Sequence, residues 1–283
     1  MRSLLFVPAD SERKLVKALA GPADAVILDL EDSVAPDRKE AARRLAGECL
    51  AKRQHGGPQL FVRVNPDASG LLAPDLAAVM PARPDGLMLP KAGGGKDVLD
   101  LVRRLDRSVP VIAIATETAE AMFSLGSYAP AVPPLIGLAW GAEDLSSDLG
   151  ALASRDADGR LTDPYRLART LCLLGARAAG VEPIDTVYLD FRDSDGLTRE
   201  CAAAMRDGFS AKLAIHPDQV AIINELFTPS AAAIAEAQAV IDAFAAAGDA
   251  GVVAIGGRMF DIPHRRRAEK LLARAGRYRK AGQ

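Results

Sequence analysis

The sequence predicts a closed barrel of eight parallel strands alternating with helices, a (β/α)8 fold of the α/β class, followed by a C-terminal helical extension. Three observations predict it. Eight short apolar runs recur along most of the chain, and segments of helical periodicity separate most of them. The runs are continuously apolar, as parallel strands covered on both faces are. The doubly wound alternative lacks its phosphate-binding signature, since neither GxGxxG nor GxxxxGKS/T follows the first run and Gly93-Gly94-Gly95 reads only as a flexible turn.

Taken in order, the apolar runs occupy residues 4–7, 25–28, 60–64, 87–89, 111–115, 135–139, 186–191 and 213–215, and their β-branched and aliphatic content suits strands. Helical spacing of apolar residues falls at 12–19, 39–51, 98–105, 165–179 and 199–207. The barrel pattern is exhausted near Pro217. Residues 218–227 and an Ala-rich stretch at 231–246 then read as helices, broken apart by Thr228-Pro229-Ser230, with Ser230 as an N-cap. This divides the chain into a barrel domain, 1–227, and a helical extension, 228–283.

Composition excludes several function classes. With 283 residues, 49% hydrophobic and 25% charged, the chain has the proportions of a folded globular protein. A net charge of −2 supplies no uniform basic field for nucleic acid or an anionic membrane, so small molecules are the expected partners. The basic tail His264-Arg265-Arg266-Arg267, continued by Arg274, Arg277 and Lys280, is interrupted by Glu269 and reads as a solvated or intersubunit face. The apolar run after Met1 stops at Pro8, too soon for a signal peptide, and no stretch reads as the ~20 apolar residues of a membrane span. Cys49, Cys172 and Cys201 form no CxxC pair and suggest neither a disulfide framework nor zinc, in keeping with a reducing cytoplasm. His55, His216 and His264 have no ligand spacing; His216, in Ile215-His216-Pro217, either approaches the barrel mouth or orients the last loop.

Loops at the carboxyl ends of barrel strands build active sites, so polar residues there are the first candidates. The second run leads into Asp29, Glu31 and Asp32; the third contains Arg63; the fourth ends in Pro90-Lys91; the fifth leads to Glu117, and the sixth to Glu143-Asp144. Any one of these charges reads equally well as a structural ion pair or a helix cap. Together they converge on one barrel mouth, where several carboxylates repel one another unless a cation lies among them. Oxygen ligands without His or Cys suit Mg2+ rather than Zn2+.

In order and together, Leu5-Phe6-Val7-Pro8, the stretch Val26 to Val34, Arg63-Val64-Asn65, Leu89-Pro90-Lys91, Glu117-Thr118, Gly141-Ala142-Glu143-Asp144-Leu145, Tyr188-Leu189-Asp190-Phe191-Arg192-Asp193, Ile215-His216-Pro217 and Met259-Phe260-Asp261-Ile262-Pro263 resemble the citrate lyase β-subunit-like family. That family lies within the HpcH/HpaI aldolase superfamily and includes malyl-CoA and citramalyl-CoA lyases. The resemblance spans nearly the whole chain. It implies a TIM barrel in a homo-oligomer, a trimer or hexamer, with Glu117 and Asp144 as direct Mg2+ ligands and Asp29, Glu31 and Asp32 acting through bound water or by orienting neighbours. It further implies that Arg63 faces the oxygen that becomes negative, that Phe6, Arg13 and Lys17 contact CoA, and that the tail packs on a neighbouring subunit and delivers Asp261 as acid or base. Without the resemblance Asp261 reads as a loop Asp before Ile262-Pro263. Two positions depart from the family pattern: Ala9 and Ala211 stand where Gly is common, which narrows backbone freedom.

The implied reaction cleaves, or forms, a carbon–carbon bond in a 3-hydroxyacyl thioester bearing a second carboxylate, through an enolate. Asp261 manages the proton on the acyl-CoA carbon, with a pKa raised by neighbouring anions. Two alternatives share the same residues, a malyl-CoA-type thioesterase and a citrate lyase subunit dependent on an acyl-carrier protein.

Overall fold

The computed structural model describes residues 1–53, 56–248 and 250–279; His55 and Lys280 lie outside them. The chain divides into two compact units, Met1–Asn224 and Glu225–Gln283.

The first unit is the expected closed barrel. Strands β1 (Ser3–Pro8), β2 (Ala25–Asp29), β3 (Gln59–Arg63), β4 (Gly86–Leu89), β5 (Val111–Ile114), β6 (Leu135–Ala139), β7 (Glu182–Asp185) and β8 (Ala211–Ala214) pair in sequence order, and β8 closes on β1. Every one of these pairings is parallel. Helices α1 (Glu12–Leu19), α2 (Lys39–Ala51), α3 (Leu72–Val79), α4 (Gly95–Arg103), α5 (Glu143–Leu149), α6 (Asp163–Ala179) and α7 (Ser194–Asp207) make the crossovers, except that short 3-10 turns join β5 to β6, and α8 (Pro217–Leu226) follows β8. Side chains alternate across a strand, so residues such as Leu4, Ile27, Phe61, Met88, Ile112, Ile184 and Leu213 share one face and fill the interior in a single cluster. The same parity turns Phe6, Asp29 and Arg63, at or near the carboxyl ends of β1, β2 and β3, toward the barrel axis. Charge is thereby aimed into the mouth.

Three expectations need correction. The seventh strand is Glu182–Asp185, not residues 186–191. The longer apolar run drew the assignment, yet its Leu189 and Phe191 are exposed in the loop after the strand, while β7 reads as polar because its Asp185 is matched to Lys212 on β8. Ala211 lies at the amino-terminal end of β8, among the interior core residues, so its methyl group fills barrel floor rather than crowding a ligand at the mouth. Finally, residues Pro217–Ala247 together are apolar enough by composition to cross a membrane. The chain breaks there into α8 and α9 (Ala231–Ala247), the latter of 17 residues, because Pro229 supplies no N–H and Ser230 caps the next helix through its hydroxyl to the Ala233 N–H.

The second unit has its own small core. Helix α9 leads to a hairpin of β9 (Val252–Ile255) and β10 (Arg258–Asp261), then to α10 (Ile262–Arg279). Gly256 and Gly257, at φ 55° and 78°, make the two-residue turn that only residues tolerant of positive φ form without strain, a signal legible in the sequence but not used for it. Ala237, Val240 and Phe244 pack against Val253, Phe260 and Ala268.

Candidate active site

The site begins with a register match. Asp29 and Arg63 are direct partners in the β2–β3 ladder. Both face inward, and the guanidinium grips the carboxylate with two bonds, Nε to Oδ1 at 2.7 Å and Nη2 to Oδ2 at 2.6 Å. Burial works to raise the Asp29 pKa, but Arg63 outweighs it and holds the carboxyl below its ordinary range. Arg63 also reaches Glu31 with Nη1 at 2.9 Å and lies over the Phe6 ring at 4.8 Å, so its head group is fixed from three sides.

Glu31 is buried in the β2–α2 loop, and that loop is clamped from beneath. Lys39 donates to the carbonyls of Leu30 at 2.7 Å and Glu31 at 2.8 Å and to Asn65 Oδ1 at 2.8 Å. Asn65 is held through its own N–H and Nδ2 by the buried carboxylate of Asp75, which Arg43 balances at 2.7 Å. Of these, Lys39, Arg43 and Asp75 escaped the sequence reading because they look like ordinary surface positions of α2 and α3, whereas Asn65 belongs to the Arg63-Val64-Asn65 motif.

Lys91 is the centre of the cluster. Its backbone stands in the left-handed region at φ 51°, uncommon for a side-chain-bearing residue and frequent at functional sites. The backbone N–H donates to Glu117 Oε2 at 2.5 Å, while the ammonium contacts Glu31, Asp32 Oδ2 at 2.9 Å and Asp144 Oδ1 at 3.0 Å. Loops after β2, β4, β5 and β6 therefore meet at one residue, the first and last of them at its ammonium and Glu117 at its backbone N–H. Burial raises the pKa of Glu31 more than Arg63 and Lys91 lower it, whereas Lys91 prevails at the more exposed Asp32 and lowers it.

Glu117 is the most perturbed carboxyl here. Burial first, then the charge of Asp144, push it up to about 8. Its side chain fits only because residue 141 is glycine: a Cβ there lies 2.7 Å from Glu117 Cγ and 3.0 Å from Oε1. A carboxyl at once buried, beside a second carboxylate and closely cradled is one whose charged form needs a cation. Glu117, with Asp144 beside it, could hold a hard divalent ion. Among the described residues no three His, Cys, Asp or Glu side chains form a ready-made metal cage, so such a pair leaves its remaining positions to water and substrate oxygens.

Of the other candidates, Arg13 and Lys17 lie exposed one turn apart on α1, which starts just beyond the carboxyl end of β1. His216 stacks on Phe191, ring centroids 4.5 Å apart, while Gln219 Oε1 accepts the N–H groups of Ile215 and His216, an arrangement that orients the last loop. Asp261 belongs to the second unit. It immediately precedes α10, accepts the His264 N–H and meets His264 Nδ1 at 2.5 Å, the place of a capping residue. Within the single chain the hydrogen bond from His264 lowers its pKa.

Comparison with known proteins agrees with this architecture. A model described as a C-C bond lyase of the TIM-barrel fold matches residues 170–279, and the HpcH/HpaI aldolase/citrate lyase model matches residues 2–217. A (3S)-malyl-CoA thioesterase from Cereibacter sphaeroides is 39% identical over 97% of this chain and 94% of its own. The mitochondrial citramalyl-CoA lyase of Rattus norvegicus is 33% identical over 97% and 86% respectively. Among solved structures, CitE from Mycobacterium tuberculosis in complex with magnesium, acetoacetate and coenzyme A superposes with a TM-score of 0.82 at 36% identity, covering 97% of this chain and 98% of that one. The chain is an enzyme of the carbon–carbon lyase class and belongs to the HpcH/HpaI aldolase/citrate lyase family.

Proposed function

We propose that this protein is a Mg2+-dependent lyase that cleaves, or in reverse condenses, a small 3-hydroxyacyl-CoA thioester bearing a second carboxylate, of the malyl-CoA or citramalyl-CoA type. One observation carries the reading: the carboxyls of Glu117 and Asp144 meet at Lys91, the first at its backbone N–H and the second at its ammonium, and Glu31 ties that ammonium to the fixed guanidinium of Arg63 at the mouth of the barrel. The solved relative that binds magnesium, a keto acid and coenzyme A supports it.

Mg2+ on Glu117 and Asp144 supplies Lewis-acid polarisation of the substrate's keto or hydroxy oxygen. Arg63, held by Asp29 and Glu31, faces the oxygen that carries negative charge as the carbon–carbon bond breaks. Glu31 and Asp32 orient Lys91 and bound water around the pair. In the cleavage direction the hydroxyl proton passes to solvent, the carbon–oxygen double bond of the keto acid forms, and the electrons of the broken bond pass to the thioester α-carbon as an enolate. Asp261, supplied by a neighbouring subunit of a trimer or hexamer, takes a proton from solvent and passes it to that carbon; in condensation its carboxylate removes the proton from the same carbon. The contact with His264 orients the Asp261 carboxyl and favours its carboxylate form, the form that removes the proton in condensation. Phe6, Arg13 and Lys17 contact the CoA portion, the two basic residues at its phosphates. Three free thiols, two of them buried, suit a cytoplasmic enzyme.

Hydrolysis of the thioester is a second reading, favoured by the 39% identical malyl-CoA thioesterase. Purified protein with Mg2+ is to be assayed against malyl-CoA and citramalyl-CoA, following keto acid and free CoA separately. Keto acid with acyl-CoA supports the lyase. Free CoA alone replaces it with the thioesterase, and no product from any free CoA ester points to a carrier-protein-bound substrate.

A further inference from the structure

The barrel carries a second buried charge network, on the outer side of its sheet. Asp185 and Lys212, partners in the β7–β8 ladder, both have no exposed side-chain surface. Parity turns them away from the interior, into the layer beneath α6 and α7. Lys212 donates to Asp185 Oδ2 at 2.9 Å and to Glu200 Oε1 at 2.8 Å. Arg169 approaches Asp185 at 3.5 Å, and Arg155 donates to the other oxygen of Glu200 at 2.6 Å. Such an ensemble is not there for stability alone, because well-packed apolar residues of similar volume usually serve a core as well or better.

It reaches the site through a hydrogen bond. The indole N–H of Trp140 donates to Asp185 Oδ1 at 2.7 Å. Trp140 is the chain's one tryptophan, is buried, and stands between the end of β6 and Gly141, the residue pressed against the Glu117 side chain. We infer that Asp185 is a positioning residue: by fixing the Trp140 indole it holds the Trp140-Gly141 segment where Glu117 can present its carboxyl to the cation. The inference rests on the reading of Glu117 as a metal ligand.

Two variants test it in the full-length protein. Trp140→Phe deletes the N–H and leaves the charges intact; the double variant Asp185→Leu with Lys212→Met removes the central ion pair together, leaving Glu200 with Arg155. Mg2+ affinity by calorimetry, steady-state kinetics and, for the double variant, Trp140 fluorescence without metal are the readouts. Both variants are expected to keep a cooperative melt, to bind Mg2+ at least about tenfold more weakly and to lose kcat by a similar factor, with KM for the thioester changed less than about threefold. The metal-free emission of Trp140 shifts in the double variant. Wild-type Mg2+ affinity and kcat in Trp140→Phe overturn the inference, as they do in a folded double variant; if the double variant does not fold, Trp140→Phe decides alone. Wild-type protein that binds no Mg2+ overturns the metal reading and this inference together.

Discussion

Asp29 and Arg63 are partners in strand register and partners in charge: the ladder that pairs β2 with β3 sets the two residues side by side, and a two-pronged salt bridge with bonds of 2.6 and 2.7 Å locks the guanidinium toward the barrel mouth. A lysine has one point charge and cannot grip the same carboxylate with a planar fork. Arg63→Lys is therefore expected to keep the fold and lower kcat by about 10²-fold or more, with Mg2+ binding close to wild type. Steady-state kinetics beside calorimetry check this, and unchanged kcat removes Arg63 from the chemistry.

Gly141→Ala places a methyl group 2.7 Å from Glu117 Cγ. Either the turn or the carboxyl moves. The expected result is a loss of Mg2+ affinity of about 10- to 100-fold with a small change in melting temperature. Retained affinity shows that the turn, not the carboxyl, gives way and that Gly141 is not needed to seat Glu117.

The pKa of Glu117, near 8 against an ordinary 4.5, gives a signed pH dependence. The metal-free folded protein retains a proton that the unfolded chain has lost, so the stability associated with this group is complete below pH 4.5 and falls away as pH rises to about 8. Cation binding needs the carboxylate and releases that proton. Mg2+ affinity should thus rise with pH, by at most about tenfold per unit, and level off above pH 8. Titrations in buffers of different ionisation enthalpy measure the released proton, and Glu117→Gln should abolish the release.

Asp261→Asn is expected to reduce turnover by about 10²- to 10⁴-fold while leaving Mg2+ binding intact. Because Asp261 is proposed to serve a neighbour's site, mixing Asp261→Asn with Glu117→Gln subunits should restore part of the activity through hybrid oligomers. Normal turnover by Asp261→Asn sinks the assignment, and a mixture no more active than its components argues against delivery between subunits.

Lys212→Met alone leaves Asp185 buried without its partner on β8 and should destabilise the protein by roughly 3–5 kcal/mol, read as a shift in urea midpoint. The double replacement with Asp185→Leu should recover most of that stability.

Much of the fold was legible from period and continuity. Runs of apolar residues set seven strands to within two residues, and α1 and α2 begin and end where helical spacing places them. The seventh strand was hidden because β7 carries Glu182, Pro183 and Asp185, and local pattern cannot know that a buried lysine awaits the aspartate one strand away. The hairpin of β9 and β10 was missed although Gly256-Gly257 announces its turn, because the surrounding alanine and arginine content weighted the tail toward helix.

At the site, sequence alone determined the chemical inventory: acids and an arginine at strand ends, all-oxygen donors, and the family whose motifs they match. Only the tertiary structure decided that Lys91 bridges Glu31, Asp32 and Asp144, that Gly141 makes room for Glu117, and that Asp185 reaches Trp140 from outside the barrel. The physical reason is distance along the chain. Strand propensity and periodicity act over neighbouring residues, whereas ionisation and ligand geometry depend on burial and on charges brought together from loops tens of residues apart, and those exist only once the barrel has closed.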